Sequence, residues 1–340
     1  MKAVACVIGA GGWGTAMAVH LARKGLAVRL LPRRQEHAGA LRSEGENAVY
    51  LPGVALVGVD VVAGPDGLAD ADLVCVATPS HAVRGTVRGL RARFADEAIV
   101  LSLAKGLEEG TGRRMTEVLE EELPGHRRLG ALSGPNFARE VGLGLVSATV
   151  VASSDPETMA HAQRLIGDER LRVYTNADVI GVELGGALKN IYAIGAGMVE
   201  GLGLGENASA AFITRSLAEL VRLGTAMGAS ALTFAGLSGL GDLLLTCTGP
   251  QSRNRRTGVA LGKGRRLQDI LADTPMVVEG TRTTLVAKDM AGRHGVDMPI
   301  CLELHAVLFE GRSPAEAVRS LMGRALTQER EEPVVPRFQT

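Results

Sequence analysis

The sequence predicts a doubly wound α/β domain built on a mostly parallel sheet, followed by an all-helical domain. Three observations carry this. Short apolar, β-branched runs alternate with amphipathic stretches up to about Asp178, the pattern of βαβ units. Beyond that point long helical periodicities and glycine-rich joints replace almost all strand signal. Near the start, Gly9-Ala10-Gly11-Gly12-Trp13-Gly14 sits between a strand pattern and a helix pattern.

The expected strands are AVACVI (3–8), AVRLL (27–31), DLVCVAT (72–78), EAIVLSL (97–103), VSATVVAS (146–153) and LRVYTN (171–176). Most are continuously apolar, as strands buried on both faces are. Helical spacing fills Thr15–Lys24, His81–Phe94 and Gly112–Glu122 between them. In the second half, 206–228, 283–295 and 313–323 read as helices, the last with Ser313 as cap and Pro314 at its first position. The expected domains are therefore 1–177 and 178–325, with 326–340 as a loose, polar, proline-containing tail.

Length and composition agree with two domains. A chain of 340 residues exceeds one compact core, and 46% hydrophobic residues suffice to fill two. Acidic and basic residues balance at 37 each, which argues against nucleic acid or an anionic membrane as the main partner. Cys6, Cys75, Cys247 and Cys301 are widely spaced, with no CxxC pair. Buried free thiols in a reducing, cytoplasmic setting are the expectation. The long uncharged run 223–241 is glycine-rich and reads as packed helices and a loop, not a membrane span. No His/Cys cluster has metal-ligand spacing. The apolar helices of the second half are compatible with a homodimer.

The opening glycines could belong to a secretory signal, but clustered glycine works against an apolar signal helix. As GxGxxG after a strand, each has a separate use. Gly9 allows the tight turn, Gly11 lets backbone N–H groups reach a pyrophosphate, and Gly14 lets the helix lie close on the strand. The helix start offers partial positive charge to the phosphates. This is the turn of a Rossmann-type dinucleotide domain. An NAD site usually ends its second strand on Asp or Glu; here Leu31-Pro32-Arg33-Arg34 stands there. Two guanidiniums suit a 2′-phosphate, so NADPH is preferred over NADH, although Glu36 nearby also suits a ribose hydroxyl.

Lysine is scarce, six against 31 arginines. Lys105 follows an expected strand, and ligands of open parallel sheets bind beyond the carboxyl ends of strands. Lys189 lies on an apolar helix whose positions three and four before it are Gly186 and Gly185, with Ala193 four after. That bare face leaves room for a ligand, and burial lowers a lysine's pKa towards useful proton transfer. On the segment alone, a lysine snorkelling at a domain seam is an equal reading. Asp242 heads an apolar run between glycines, as a buried carboxylate would. Ser252, Arg253 and Asn254 follow Pro250 and suit a helix start gripping an anion, or a basic surface turn.

With these residues in place, the chain closely resembles the bacterial-type NAD(P)-dependent glycerol-3-phosphate dehydrogenases over residues 3–325. The resemblance rests on VIGAGGWGTAMA (7–18), VATPSH (76–81), AKGLE (104–108), LSGPNFAREV (132–141), LGGALKNIYAIGAG (184–197), GLGDLLLTCTGPQSRNRRTG (239–258) and VVEGTRT (277–283). It implies reversible hydride transfer between NAD(P)H and dihydroxyacetone phosphate, giving sn-glycerol 3-phosphate for phospholipid synthesis. The family's proton donor falls on Lys189. Its substrate contacts fall on Lys105, Gly134, Asn136, Asp242, Ser252, Arg253 and Asn254. Its cofactor contacts fall on Gly12, Trp13, Arg33, Arg34, Lys105, Ala138, Arg253, Val277 and Glu279. One departure is visible: the family's usual serine in SGPSFA is Asn136 here. A β-hydroxyacid or 6-phosphogluconate-type dehydrogenase would share the two-domain plan and the helical lysine. The segment carrying Asp242 and Ser252-Arg253-Asn254 favours a three-carbon phosphate instead. A non-catalytic dinucleotide sensor would have no use for an ionisable group at Lys189.

Overall fold

A computed structural model describes residues 2–273, 277–326 and 328–329; most of the expected tail lies outside the described residues. The chain divides into two compact units, one of Met1–Lys105 with Arg113–Val182, the other of Gly106–Gly112 with Glu183–Thr340.

Among the described residues, the first unit carries ten strands: β1 (Val4–Ile8), β2 (Ala27–Leu31), β3 (Glu46–Asn47), β4 (Leu51–Ala55), β5 (Val59–Val61), β6 (Leu73–Val76), β7 (Ile99–Ser102), β8 (Leu129–Ser133), β9 (Ser147–Ala152) and β10 (Leu171–Asn176). Between them run α1 (Gly12–Lys24), α2 (Gln35–Glu44), α3 (Ser80–Leu90), α4 (Met115–Glu122), α5 (Ala138–Leu143) and α6 (Pro156–Ile166). Eight strands form one sheet in the order β10-β9-β8-β7-β6-β1-β2-β5, while β3 and β4 pair separately as an antiparallel hairpin. All pairings in the large sheet are parallel except β8 with β9.

Strand alternation explains the two layers. On β1, Ala5 and Val7 join one core with Met17 and Leu21 of α1, Val54 of the hairpin and Ile166 of α6. Cys6 and Ile8 face the other way, into a core with Val83 and Val87 of α3 and Val118 and Leu119 of α4. Helix ends follow local chemistry. Asp155 caps α6 by accepting from Glu157 N and Thr158 N at 3.3 and 2.9 Å, with Pro156 at the first position. Gly25 closes α1 at φ 104°, a conformation only glycine adopts readily.

The second unit is helical: α7 (Val179–Gly201, its first residues in the first unit), α8 (Gly205–Ala226), α9 (Ala231–Phe234), α10 (Asp242–Thr248), α11 (Arg253–Gly262), α12 (Leu267–Ala272), α13 (Glu279–His294), α14 (Pro299–Phe309) and α15 (Pro314–Met322). A π-turn, Leu237–Gly241, leads into α10. The stretch Ala231–Thr248 has the length and hydropathy of a membrane span. It is nonetheless broken by that turn and carries Asp242 buried against a lysine. Ser313 and Glu316 form the capping box of α15. Glycines let α7 and α11 cross closely. A Cβ on Gly197 would lie 2.0 Å from Arg255 O, and one on Gly258 would lie 1.9 Å from Ile194 O.

Several boundaries differ from expectation. The helix expected over 81–94 stops at Leu90 and continues as a 3₁₀ turn, and that expected from Gly112 begins at Met115. β8 and the β3–β4 hairpin were not expected. All four cysteines are buried and unpaired.

Glu219 of α8 is buried in this unit and accepts from Ile300 N and Cys301 N at the start of α14, at 2.6 and 3.1 Å. Tyr192 Oη donates to it at 3.3 Å. Burial pushes its carboxyl up to about 7 despite these donors. The folded value is raised, so its contribution to stability is full below the unfolded value of 4.5 and is lost as pH rises through about 7. Glu219→Gln does not titrate. Its unfolding free energy relative to wild type should therefore shift in its favour between mildly acidic and mildly alkaline pH, by about 1–3 kcal/mol. Denaturant titrations of both proteins across that range check this; a constant difference would refute it.

Candidate active site

The glycine turn joins β1 to α1 and fits a pyrophosphate. Gly9 has φ 107°, and a Cβ there would meet Ala77 O at 2.8 Å. A Cβ on Gly14 would lie 2.0 Å from Gly9 O, so the helix can rest on the turn only without one. Gly12 faces Tyr50 O, where a Cβ would come within 2.8 Å, and approaches Ala138 of α5. At Gly11, by contrast, a Cβ would meet nothing within 4 Å. Gly11 is also the N-cap of α1 and has no side-chain cap. Open space in front of uncapped helix N–H groups is what a phosphate needs. Gly9 N donates to Leu31 O at 2.9 Å, tying the turn to the end of β2. Arg33 and Arg34 follow that strand end and are exposed. Trp13 packs on the core with its Nε1 buried and without a partner.

Also in the first unit, Lys105 follows β7 and donates to Gly134 O at 2.7 Å. Gly134 has φ 150°, and a Cβ there would lie 3.3 Å from Asn136 Oδ1. Asn136 Nδ2 donates to Ala148 O at 2.8 Å, while its Oδ1 is buried and has no partner. Lys105, Gly134 and Asn136 thus form one cluster beyond the ends of β7 and β8.

In the second unit Lys189 is 6% exposed, within α7. Its Nζ lies 2.5 Å from Asp242 Oδ1 and donates to Thr246 Oγ1 at 2.7 Å. Thr246 Oγ1 lies 3.3 Å from the same Asp242 oxygen. The face expected to leave room for a ligand is partly filled by the chain itself: a Cβ on Gly185 would lie 2.5 Å from Ser238 O. That contact and the Lys189–Asp242 pair are one helical turn apart on both segments.

Asn190, next to Lys189, accepts through Oδ1 from Asn254 Nδ2 at 2.9 Å. Asn254 Oδ1 accepts from Gly280 N at 3.1 Å, beside Glu279 at the start of α13. Asn254 is thus largely engaged inside the protein rather than turned outward. Ser252 caps α11, its Oγ accepting from Arg255 N at 3.2 Å. Arg253, first residue of α11, is exposed and within electrostatic reach of Glu279. Val277 is half-buried just before α13.

The family model for the N-terminal part of NAD-dependent glycerol-3-phosphate dehydrogenase matches residues 4–159, and that for its C-terminal part matches 178–319. The chain belongs to this family. It is 51% identical to a glycerol-3-phosphate dehydrogenase [NAD(P)+] of Moorella thermoacetica, over 97% of this chain and 98% of that one. A relative of the same name from Desulfitobacterium hafniense is 46% identical over 96% and 93% of the two chains. Among solved structures, glycerol-3-phosphate dehydrogenase of Coxiella burnetii superposes with a TM-score of 0.91 at 37% identity, covering 95% of this chain and 99% of that chain. The mostly parallel sheet and following helical part are those of this family.

Two residues escaped the sequence reading. Thr246 lies four residues after Asp242 on α10, a spacing that puts both on one helix face. Asn190 adjoins the lysine but reads as one polar residue in an apolar helix.

Removing Asp242 would strand the Lys189 ammonium in the interior. Breaking one side of a buried pair costs about 3–5 kcal/mol. Asp242→Ala should lose stability of that order at neutral pH, and Lys189→Met/Asp242→Ala should recover much of it. Chemical denaturation of the two variants checks this; equal destabilisation in both would contradict it.

Proposed function

We propose that this chain reduces dihydroxyacetone phosphate reversibly to sn-glycerol 3-phosphate, with NADPH preferred over NADH, in the cytoplasm. The buried Lys189–Asp242–Thr246 cluster carries this reading. The residues before about 178 form the dinucleotide domain and the helices after it the substrate domain. Four unpaired buried thiols suit a reducing compartment.

Gly11 and Gly12 N–H groups and the positive end of α1 hold the pyrophosphate, with Gly9 and Gly14 shaping the turn and Trp13 and Ala138 walling it. Arg33 and Arg34 take the 2′-phosphate by forked hydrogen bonds. Val277 and Glu279 complete the contacts to the dinucleotide, with Lys105 and Arg253. When bound, the reduced dinucleotide supplies the hydride to the ketone carbon.

Lys189 acts on the oxygen of that carbonyl. As charge builds there, its ammonium stabilises the oxygen and then gives up a proton, so ketone, hydride and proton balance to the alcohol. In reverse, the neutral amine takes the hydroxyl proton. Lysine suits this cycle because it can release a proton, which arginine cannot. Asp242 and Thr246 hold Nζ in one place and offset the burial of its charge. Arg253, at a capped helix start, grips the substrate phosphate with Ser252 and Asn254 close by; that remote grip orients the carbonyl. Asn136 Oδ1, a buried acceptor without a partner, takes a substrate hydroxyl, and Lys105 and Gly134 adjoin it.

Loss of reduced-nicotinamide absorbance with dihydroxyacetone phosphate tests the reaction directly. In Lys189→Met, kcat should fall by about 10²–10⁴-fold, while the dinucleotide Kd stays near wild type; near-normal turnover would remove Lys189 from this role. In Arg33→Ala/Arg34→Ala, KM for NADPH should rise about ten-fold or more with KM for NADH unchanged. A double variant that still prefers NADPH would overturn the assignment of the two arginines.

A further inference from the structure

The glycine turn is held from behind by a residue outside the glycine motif. Asn47 ends the short strand β3 and is 1% exposed. Its Nδ2 donates to Ala10 O at 3.0 Å and to Thr15 Oγ1 at 2.7 Å. Its Oδ1 accepts from Tyr50 N at 3.3 Å, which fixes the side chain against its own hairpin. Both amide hydrogens are thus spent on the turn and on the first turn of α1. Tyr50, three residues on, presents the carbonyl that leaves no room for a Cβ on Gly12.

The consequence follows from peptide geometry. The bond joining Ala10 to Gly11 is planar and trans, so its carbonyl and its N–H point in opposite directions. A group that holds Ala10 O therefore aims Gly11 N–H. The second bond, to Thr15, fixes the same amide against the helix that supplies the neighbouring N–H groups. Gly11, with φ −76° and no Cβ, has little of its own to hold that plane.

We propose that Asn47 is a positioning residue for dinucleotide binding: it orients the Ala10–Gly11 peptide so that the turn's N–H groups converge on the pyrophosphate. This rests on the dinucleotide reading of the turn given above. The side chain must donate twice, which excludes aspartate: a carboxylate of the same size would face Ala10 O with no hydrogen to give and would add negative charge beside the phosphates.

Trp13 is the only tryptophan of the chain and lies within the turn, so its fluorescence reports binding without any turnover. Titration of wild type with NADPH tests the dinucleotide reading by itself; no saturable change there, with none by calorimetry, would sink that reading before Asn47 is considered. Given binding by wild type, Asn47→Asp should raise the NADPH Kd by about ten-fold or more, the worth of one aimed hydrogen bond and a repelling charge. Asn47→Ser, which keeps one short donor, should fall between the two. KM for NADPH should rise in step, with kcat at saturating NADPH and KM for dihydroxyacetone phosphate unchanged. A merely structural asparagine would lower Tm without that split. A Kd within two-fold of wild type in Asn47→Asp, or equal rises in both KM values, would overturn the proposal.

Discussion

A lysine ammonium inside a helical domain is tolerated only if something offsets the several kcal/mol of lost hydration. Here the offset is Asp242, 2.5 Å from Lys189 Nζ, and much of the surrounding backbone is arranged to bring that carboxylate in. Helices α7 and α10 lie on different parts of the chain, and a usual separation of 8–10 Å leaves little latitude for a short aspartate to reach. The approach is made at Gly185, where Ser238 O occupies the place of a side chain. Four residues on from each partner come Lys189 and Asp242. The π-turn before α10 carries the chain through that contact, in keeping with the frequency of such turns at functional sites. A Cβ at Gly185 would press on backbone and move the carboxylate away from the amine.

The other side of α7 works the same way. Gly197 and Gly201 meet α11 at Arg255 and Val259, while Gly258 and Gly262 meet α7 at Ile194 and Met198. One turn back along this crossing, Asn190 and Asn254 stand opposite each other and bond. A single helix is therefore fixed in register on two sides by missing side chains, and each side delivers a polar partner beside Lys189. The dinucleotide turn follows this logic too: Gly9, Gly12 and Gly14 are sites of close backbone approach, and Asn47 adds the hydrogen bonds that backbone packing alone does not supply.

These close approaches also explain what the sequence could and could not convey. The strands β1, β2, β6, β7 and β9 are written largely in apolar, β-branched residues, so their burial is visible in the letters, while β10 shows itself by alternation, with Leu171 and Val173 buried between exposed neighbours. The strand β8 reads LGALS, with small residues because Gly130 is pressed against Ala152 O; a strand built for contact loses the bulk that marks a strand. The hairpin β3–β4 is too short for periodicity, which hid Asn47. Glycines at 185 and 186 were legible as a bare face, but a bare face is equally the mark of a ligand or of a neighbouring backbone, and composition does not separate the two. At Gly185 the neighbour is Ser238. Lys105 and Lys189 stood out because lysine is rare in this chain, whereas Thr246 and Asn190 gain meaning only from partners that the fold brings near.

The helical unit holds a second buried carboxylate, and the contrast defines what Lys189 does for Asp242. Glu219 is met by backbone N–H groups of Ile300 and Cys301 and by the Tyr192 hydroxyl, all of them dipoles. Arg222 approaches only to 4.0 Å. Dipoles leave burial in control, and the carboxyl rises to about 7. Asp242, equally buried, faces a full opposite charge at hydrogen-bond distance and a hydroxyl that also bonds that charge. Coulomb attraction in a medium of low polarisability far exceeds what two amide dipoles offer, so a lysine at this distance offsets the burial of a carboxylate in a way that the donors around Glu219 do not. The amine is in turn anchored on one side by Asp242, which on the proposed reading positions it and does not itself react. An ammonium held in this way can share charge with a developing oxyanion without leaving its place, which is the condition for stabilising a transition state more than a ground state.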